Sequence, residues 1–238
     1  MKEEIIKIKS EVKFDTRKLN ELEKILADMG LNEDSLLVAL LYIAIKSEQK
    51  SIDEISTIYS ENVINTINIL IKLDKINYSQ QSVEAENIRK MFFAITKDIR
   101  TIMLKIAFVV TELRFIDEVE DEKKIELANS IFALFAPLSA RLGLSAFKTE
   151  LENGAFKILD SKKYDEIQNE VDSRFHKRQP IVERLKTLVN NCMKDLGIIG
   201  RVYGRKKHIY SIYKKLADHP LDNIYDLIAV RALNVMHF

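Results

Sequence analysis

Apolar residues fall into a helical rhythm over most of this 238-residue chain. Leu19, Leu22, Ile25, Leu26 and Met29 lie at i, i+3, i+4 spacing, and Gly30 stands where a C′ glycine ends a helix; the pattern predicts a helix over 16–30. Asn32 caps a second predicted helix, Glu33 to Glu48, which is apolar on most faces and so belongs in a core. Ser51 and Glu54 have capping-box spacing ahead of a third helix, and a fourth covers Glu61 to Leu73. Residues 75–85 are polar and unpatterned and read as a loop. From 86 to 114 the rhythm returns strongly (Ile88, Met91, Phe92, Ile95, Ile99, Ile102, Ile106, Val110, Leu113), as one long helix or two broken near Lys97 and Asp98.

The acidic stretch 117–122 reads as a solvated loop or helix start. Helices follow at 123–135 and 145–159, with Pro137 and Gly143 between them, and another begins near Ser161. Pro180 suits the first turn of a further helix carrying Ile181, Leu185, Leu188, Val189, Cys192 and Leu196, closed by Gly197. The period then changes. Residues 198–204 (IIGRVYG) read as a strand ended by Gly204, KKHIYSIYKKL as a helix, and 226–235 (DLIAVRALNV) as a second strand. Strand, helix, strand is the opening of an α/β unit. The expected fold is mainly α: a helical domain over 1–160, then helices and the first strand-helix-strand of an α/β domain over 161–238.

Composition narrows this only slightly. Six Gly, three Pro and no Trp favour long helices with few tight turns. Lys+Arg number 37 against 36 Asp+Glu, so no global charge points to DNA or membrane, and any electrostatic site is local. The single Cys192 excludes an internal disulfide and suits a reducing, cytoplasmic setting. The N-terminus lacks the apolar core of a secretory signal. The longest apolar run, Leu36 to Ile45, is ten residues, against the ~20 that a membrane helix needs. All four histidines lie after residue 175, and the first 160 residues contain neither His nor Cys. That composition speaks against an imidazole-based metal site in the helical domain and favours a scaffold or interaction role.

The local charge lies near the end. Gly200 to Lys215 carries six Lys/Arg, one His and no acid. Gly204 allows a close turn, with Arg205 and Lys207 expected at a helix N-terminus, where exposed amides and the dipole favour anions. Lys207, Ser211 and Lys215 are spaced to share one helix face. Asp226 heads the second predicted strand, where a carboxylate beside a phosphate cluster suits Mg²⁺. Arg231 follows five residues on and reaches the same site only if the strand twists, bulges or starts late. Three readings stay open on these residues alone: nucleotide binding, RNA binding with Tyr203, Tyr210 and Tyr213 interleaved for stacking, and plain solvated surface.

YGRKKHIYSIYKK followed by YDLIAVR resembles the opening of the synthetase domain of long RelA/SpoT enzymes, which make and degrade guanosine tetra- and pentaphosphate. AENIRKMFFAITKDIRTIMLKIA, FAPLSARLGLSAFKTELE and ILADMGLNEDSLLVALL resemble that family's helices further upstream. The resemblance covers nearly the whole chain and is most specific over 128–152 and 200–231. It implies pyrophosphoryl transfer from ATP to the 3′-hydroxyl of GDP or GTP. Arg205, Lys207, Ser211 and Lys215 match positions that hold ATP, Arg231 another nucleotide-contacting arginine, and Asp226 the Mg²⁺-binding catalytic aspartate. Lys206 replaces a common Pro, a change of turn only.

The sequence departs from the family in two ways. The hydrolase motifs are missing: Tyr42-Ile43 stand for the family's His-Asp pair and Lys46-Ser47 for its Glu-Asp pair. An earlier metal-ligand His falls near Lys18, and a later Asp falls on Phe108. These residues imply no Mn²⁺ and no alarmone hydrolysis. The chain also ends before the family's guanine-stacking Tyr, its second catalytic Glu and its regulatory C-terminal domains. The expectation is a synthetase domain cut short and inactive alone, without ribosome contact. The competing reading is a pseudo-hydrolase regulator that binds nucleotide or a full-length partner; a weaker one is an RNA-binding module.

Overall fold

The computed structural model describes residues 2–74, 98–218, 220–224 and 227–234. It separates into two compact units, Met1–Ala155 and Phe156–Phe238.

Unit 1 is helical. Helix α1 (Lys2–Glu11) was not expected from the sequence, although Ile5, Ile8 and Val12 give it a buried stripe against α3. Helix α2 (Thr16–Asp28) begins on Asp15, whose carboxylate accepts from the Arg17 and Lys18 N–H groups, and is followed by Gly30 at φ 72°. Helix α3 (Glu33–Lys46) is capped by Asn32 and runs through the core, with Leu37 to Tyr42 and Ala44 buried. The Ser51/Glu54 capping box forms at the head of α4 (Ile52–Ser56): the Glu54 N–H donates to Ser51 Oγ and the Ser51 N–H to Glu54 Oε2. Helix α5 (Glu61–Asp74) and helix α6 (Ile99–Arg114, capped by Asp98) pack against each other and against α3. The predicted segment 86–97 and most of the predicted loop 75–85 lie outside the described residues.

Helix α7 (Asp121–Ser130) passes through a π turn, Ile131–Phe135, into α8 (Ala136–Arg141). The sequence places Pro137 between two helices; the structure carries the chain through it. The widened turn, with the Ala136 N–H donating to Ile131 O, accommodates a residue that cannot donate to the regular ladder. Helix α9 (Ser145–Leu159) follows. Gly154 on α9 lies so close to α6 that a Cβ there would stand 2.6 Å from Leu113 Cδ2. Arg114 joins three helices, donating to both Glu150 oxygens at 2.6 and 2.7 Å and to Glu21 at 2.5 Å. Glu150 first, then Glu21, pushes this guanidinium above its ordinary range.

A second polar tie holds α3, α5 and α6 together. The Asp74 carboxylate accepts from Tyr42 Oη, Lys105 Nζ and Lys46 Nζ, the last at 2.9 Å. Lys105 is buried. Burial works against the charge on Asp74, but Lys105, Tyr42 and Lys46 outweigh it and hold the carboxyl below the usual carboxylate range.

In unit 2, α10 (Ser161–Asp195) is one 35-residue helix with Pro180 inside it. This corrects the expectation of a new helix starting at Pro180. Ile167, Val171, Val182 and Met193 are buried along it, and α10 packs against the strands, which offsets the hydrogen bond that Pro180 cannot donate. β1 (Gly200–Lys206) and β2 (Ile228–Asn234) pair antiparallel, joined through α11 (Ile209–Leu216) and a 3₁₀ turn at Leu221–Asn223. The strand does not end at Gly204. Its pairing runs on through Arg205↔Ala229 and Lys206↔Ile228, because Gly204 is an in-register partner of Val230. Gly204 matters for closeness instead: a Cβ there would lie 2.8 Å from Val182 Cγ1 of α10. Phe156 stacks on Tyr213 with centroids 4.4 Å apart and lies 5.6 Å from Tyr210.

Two stability experiments follow. Asp74→Ala strands the Lys105 ammonium and should cost ~3–5 kcal/mol in urea unfolding, with Lys105→Met in the same chain recovering most of it. Because the folded-state pKa of Asp74 is lowered, its contribution is present above the unfolded value of ~3.9 and is lost as pH falls through the folded value. The difference between wild type and Asp74→Asn should therefore shrink on acidification; a pH-independent gap would contradict this. Pro180→Ala restores a donor inside α10 and should stabilise unit 2 by roughly 1–3 kcal/mol.

Candidate functional site

Two sites emerge, one in each unit. In unit 1 a cavity of about 460 Å³ is lined by Lys18, Tyr42, Ile43, Lys46, Ser47 and Phe108, together with apolar groups that include Phe14, Leu22 and Phe115. Helix α2 supplies Lys18, α3 supplies Tyr42, Ile43 and Lys46 with Ser47 as its C-cap, and α6 supplies Phe108. The positions that the resemblance assigns to the family's metal and hydrolase groups therefore surround one space, although they are scattered over 90 residues of sequence.

The chemistry of that space is not a metal centre's. The Tyr42 and Phe108 rings meet at 4.9 Å between centroids. Lys46 reaches Asp74, and Lys18 reaches Glu118 at 2.8 Å while lying 5.5 Å from the centre of the Phe115 ring. Two carboxylates also line the cavity: Asp15, which caps α2, and Glu112 of α6. Ammonium and hydrocarbon groups do not ligate a divalent cation. Among the described residues, no group of three or more His, Cys, Asp or Glu gathers as a metal site anywhere. At the positions that the resemblance assigns to metal ligands, Tyr42, Ile43, Lys46 and Phe108 offer a Mn²⁺ ion neither imidazole nor carboxylate.

In unit 2 a cavity of about 340 Å³ is lined by Arg205, Lys207, His208, Ser211 and Ala229. Arg205 is not at the helix N-terminus, as the sequence suggested, but on β1; Lys207 lies in the turn, its N–H donating to Leu227 O, and α11 begins only at Ile209. The three still converge because the strand delivers Arg205 to the mouth of the turn. Lys206 points elsewhere: its ammonium meets Asp172 at 2.7 Å and sits 4.4 Å from the Phe175 ring centre on α10. Alternation along β1 thus anchors one cation on the helix and leaves Arg205 on the exposed face.

His208 is the residue that sequence reasoning did not assign. It occupies the N-cap position of α11, and its Nε2 lies 2.5 Å from Ser211 Oγ. The i, i+3 spacing of His208 and Ser211 was the available signal. Lys215 lies in the last turn of α11 and does not line this cavity. Nor does Arg231, but the register Tyr203↔Arg231 and Arg205↔Ala229 sets Arg231 on the same sheet face, two residues along from the cavity wall. Asp226 lies outside the described residues. Tyr213 stacks on Phe156 and on Tyr210, and Tyr210 lies tilted against Phe156, so two of the three interleaved tyrosines are engaged with one another and with Phe156. Among the described residues, no helix is long and apolar enough to cross a membrane.

A family model described as HD domain matches residues 16–145, the stretch that encloses the unit 1 cavity. A GTP pyrophosphokinase of Myxococcus xanthus is 32% identical over 219 residues, covering 90% of this chain and 29% of that protein. A probable guanosine-3′,5′-bis(diphosphate) 3′-pyrophosphohydrolase of Synechocystis sp. is 34% identical over 213 residues, covering 88% of this chain and 28% of its own length. The bifunctional (p)ppGpp synthase/hydrolase SpoT of Escherichia coli K12 is 31% identical over 212 residues, covering 88% and 30% respectively. The chain spans less than a third of the length of these relatives. With the HD domain matched over more than half the chain and these relatives aligned across both units, the chain belongs to the RelA/SpoT family.

Proposed function

We propose that this chain serves guanosine tetra- and pentaphosphate metabolism, with nucleotide handling in unit 2 and a non-hydrolytic HD domain in unit 1. The observation that carries the reading is the convergence of Arg205, Lys207 and Ser211 on one cavity. Arg205 offers a planar fork for bidentate phosphate contact or stacking on a base, Lys207 a point charge, and Ser211 a hydroxyl. Arg231 and Lys215 extend the same positive field. Asp226 is assigned, on the family resemblance, as the carboxylate for Mg²⁺. The chemistry is pyrophosphoryl transfer from ATP to the 3′-hydroxyl of GDP or GTP, in which positioning and charge neutralisation dominate. Mg²⁺ would supply neutralisation of the phosphate charge when bound; the side chains named here bind and orient the nucleotide.

A second reading attaches to unit 1. Its cavity of about 460 Å³ carries Tyr42, Ile43, Lys46 and Phe108 in place of the resemblance's metal ligands, which suits a pseudo-hydrolase that senses a ligand without cleaving it. Calorimetric titration separates the two. ATP should bind to the chain, and Arg205→Ala or Lys207→Ala should each weaken it by ~1.5–3 kcal/mol, about ten- to a hundredfold. Binding of ATP unchanged by either substitution would overturn the assignment of this cavity. Binding of guanosine tetraphosphate that responds to Lys46→Ala instead would favour the sensor. Incubated with guanosine tetraphosphate and Mn²⁺, the chain should release no pyrophosphate above a buffer control; Mn²⁺-dependent release would refute the loss of hydrolysis.

A further inference from the structure

Helix α10 carries an apolar stripe that is exposed among the described residues. Ile181, Leu185, Leu188 and Leu196 are 58, 45, 60 and 73% exposed, and Cys192 is also exposed. Val182 and Met193, about a quarter turn round the helix, take up its contact with the strands. At 100° per residue the five stripe positions fall within an arc of about 80°, at the 4, 3, 4, 4 spacing of a two-helix seam. The sequence pattern places these apolar residues on one helix, and among the described residues the structure leaves their face exposed.

We infer that this stripe is the self-association surface of the chain, meeting the same stripe of a second copy in antiparallel orientation. The charges beside it choose that partner. Arg184 and Asp195 lie on one flank of the stripe, both exposed, and among the described residues neither makes an ion pair. In a two-fold antiparallel pair centred between Leu188 and Val189, Ile181 faces the partner's Leu196 and Leu185 faces the partner's Cys192. That register also brings Arg184 within about two residues' rise, ~3 Å along the axis, of the partner's Asp195. Symmetry makes this contact twice. Self-complementarity of this kind is what an isologous interface requires. Only one helix per copy contributes, over some 16 residues or ~24 Å, so the dimer lies at the small end of specific interfaces and should be micromolar and reversible.

Sedimentation equilibrium of the full 238-residue chain should show a concentration-dependent dimer. Leu188→Glu, at an exposed position, should leave the helical circular dichroism unchanged and abolish the dimer. Arg184→Glu should weaken it about tenfold, and Arg184→Glu combined with Asp195→Arg should restore it. Orientation has its own readout. The two Cys192 residues would sit seven residues apart along the axis, ~10 Å, too far for a disulfide. The wild type should therefore stay uncrosslinked under mild oxidation, while Leu185→Cys should give a disulfide-linked dimer through the partner's Cys192. A monomer throughout, a dimer indifferent to Leu188→Glu, or a Cys192–Cys192 disulfide in the wild type would each overturn the inference.

Discussion

Unit 1 depends on a single carboxylate. Asp74 ends α5 and receives Tyr42 and Lys46 from α3 and Lys105 from α6. A buried ammonium such as Lys105 is tolerable only beside an opposite charge, and a buried carboxylate only where hydrogen bonds replace water. Both needs are met at one point, where three core helices meet. Nearby, the cavity has aromatic and aliphatic side chains beside Asp15 and Glu112, and its lysines are engaged by Asp74 and Glu118. With its ammonium groups held by carboxylates, this HD domain, matched over residues 16–145, packs with Tyr42, Ile43 and Phe108 at positions that the resemblance assigns to metal ligands.

Unit 2 rests on a different constraint, the close approach of strand to helix at Gly204 and Val182. With no Cβ at 204, β1 lies down on α10, and Lys206 is drawn to Asp172 and Phe175. The neighbours of these anchors in the strand's alternation, Tyr203 and Arg205, are left on the open face. The division of the cations, Lys206 on the helix and Arg205 at the cavity, therefore comes from how a seven-residue strand is seated.

Local signals proved readable where the physics is local. The Asn32 cap, the Ser51/Glu54 box and the glycine after α2 follow from hydrogen bonds within a few residues, and periodicity located α2, α3 and α5. The sequence was less informative where tertiary contacts decide. Pro180 reads as a helix start, yet packing beneath the strands carries α10 through it. Pro137 is absorbed by a π turn that no pattern announces. The Asp74–Lys105 pair joins residues 31 apart and has no sequence mark. The site is half legible: Arg205, Lys207 and Ser211 converge, whereas Lys215 and Arg231 lie outside the cavity wall, and His208 joins it from the N-cap of α11.

We infer from Tyr42, Ile43, Lys46 and Phe108 that the cavity of unit 1 does not hold Mn²⁺. Titration of the chain with Mn²⁺, following the free-ion electron paramagnetic resonance signal, tests it most directly. The account predicts that the signal rises in proportion to added ion, as in buffer, with Asp74→Asn indistinguishable from wild type. A stoichiometric loss of free Mn²⁺ at one equivalent, relieved by substitutions around Tyr42, Lys46 and Phe108, would contradict it.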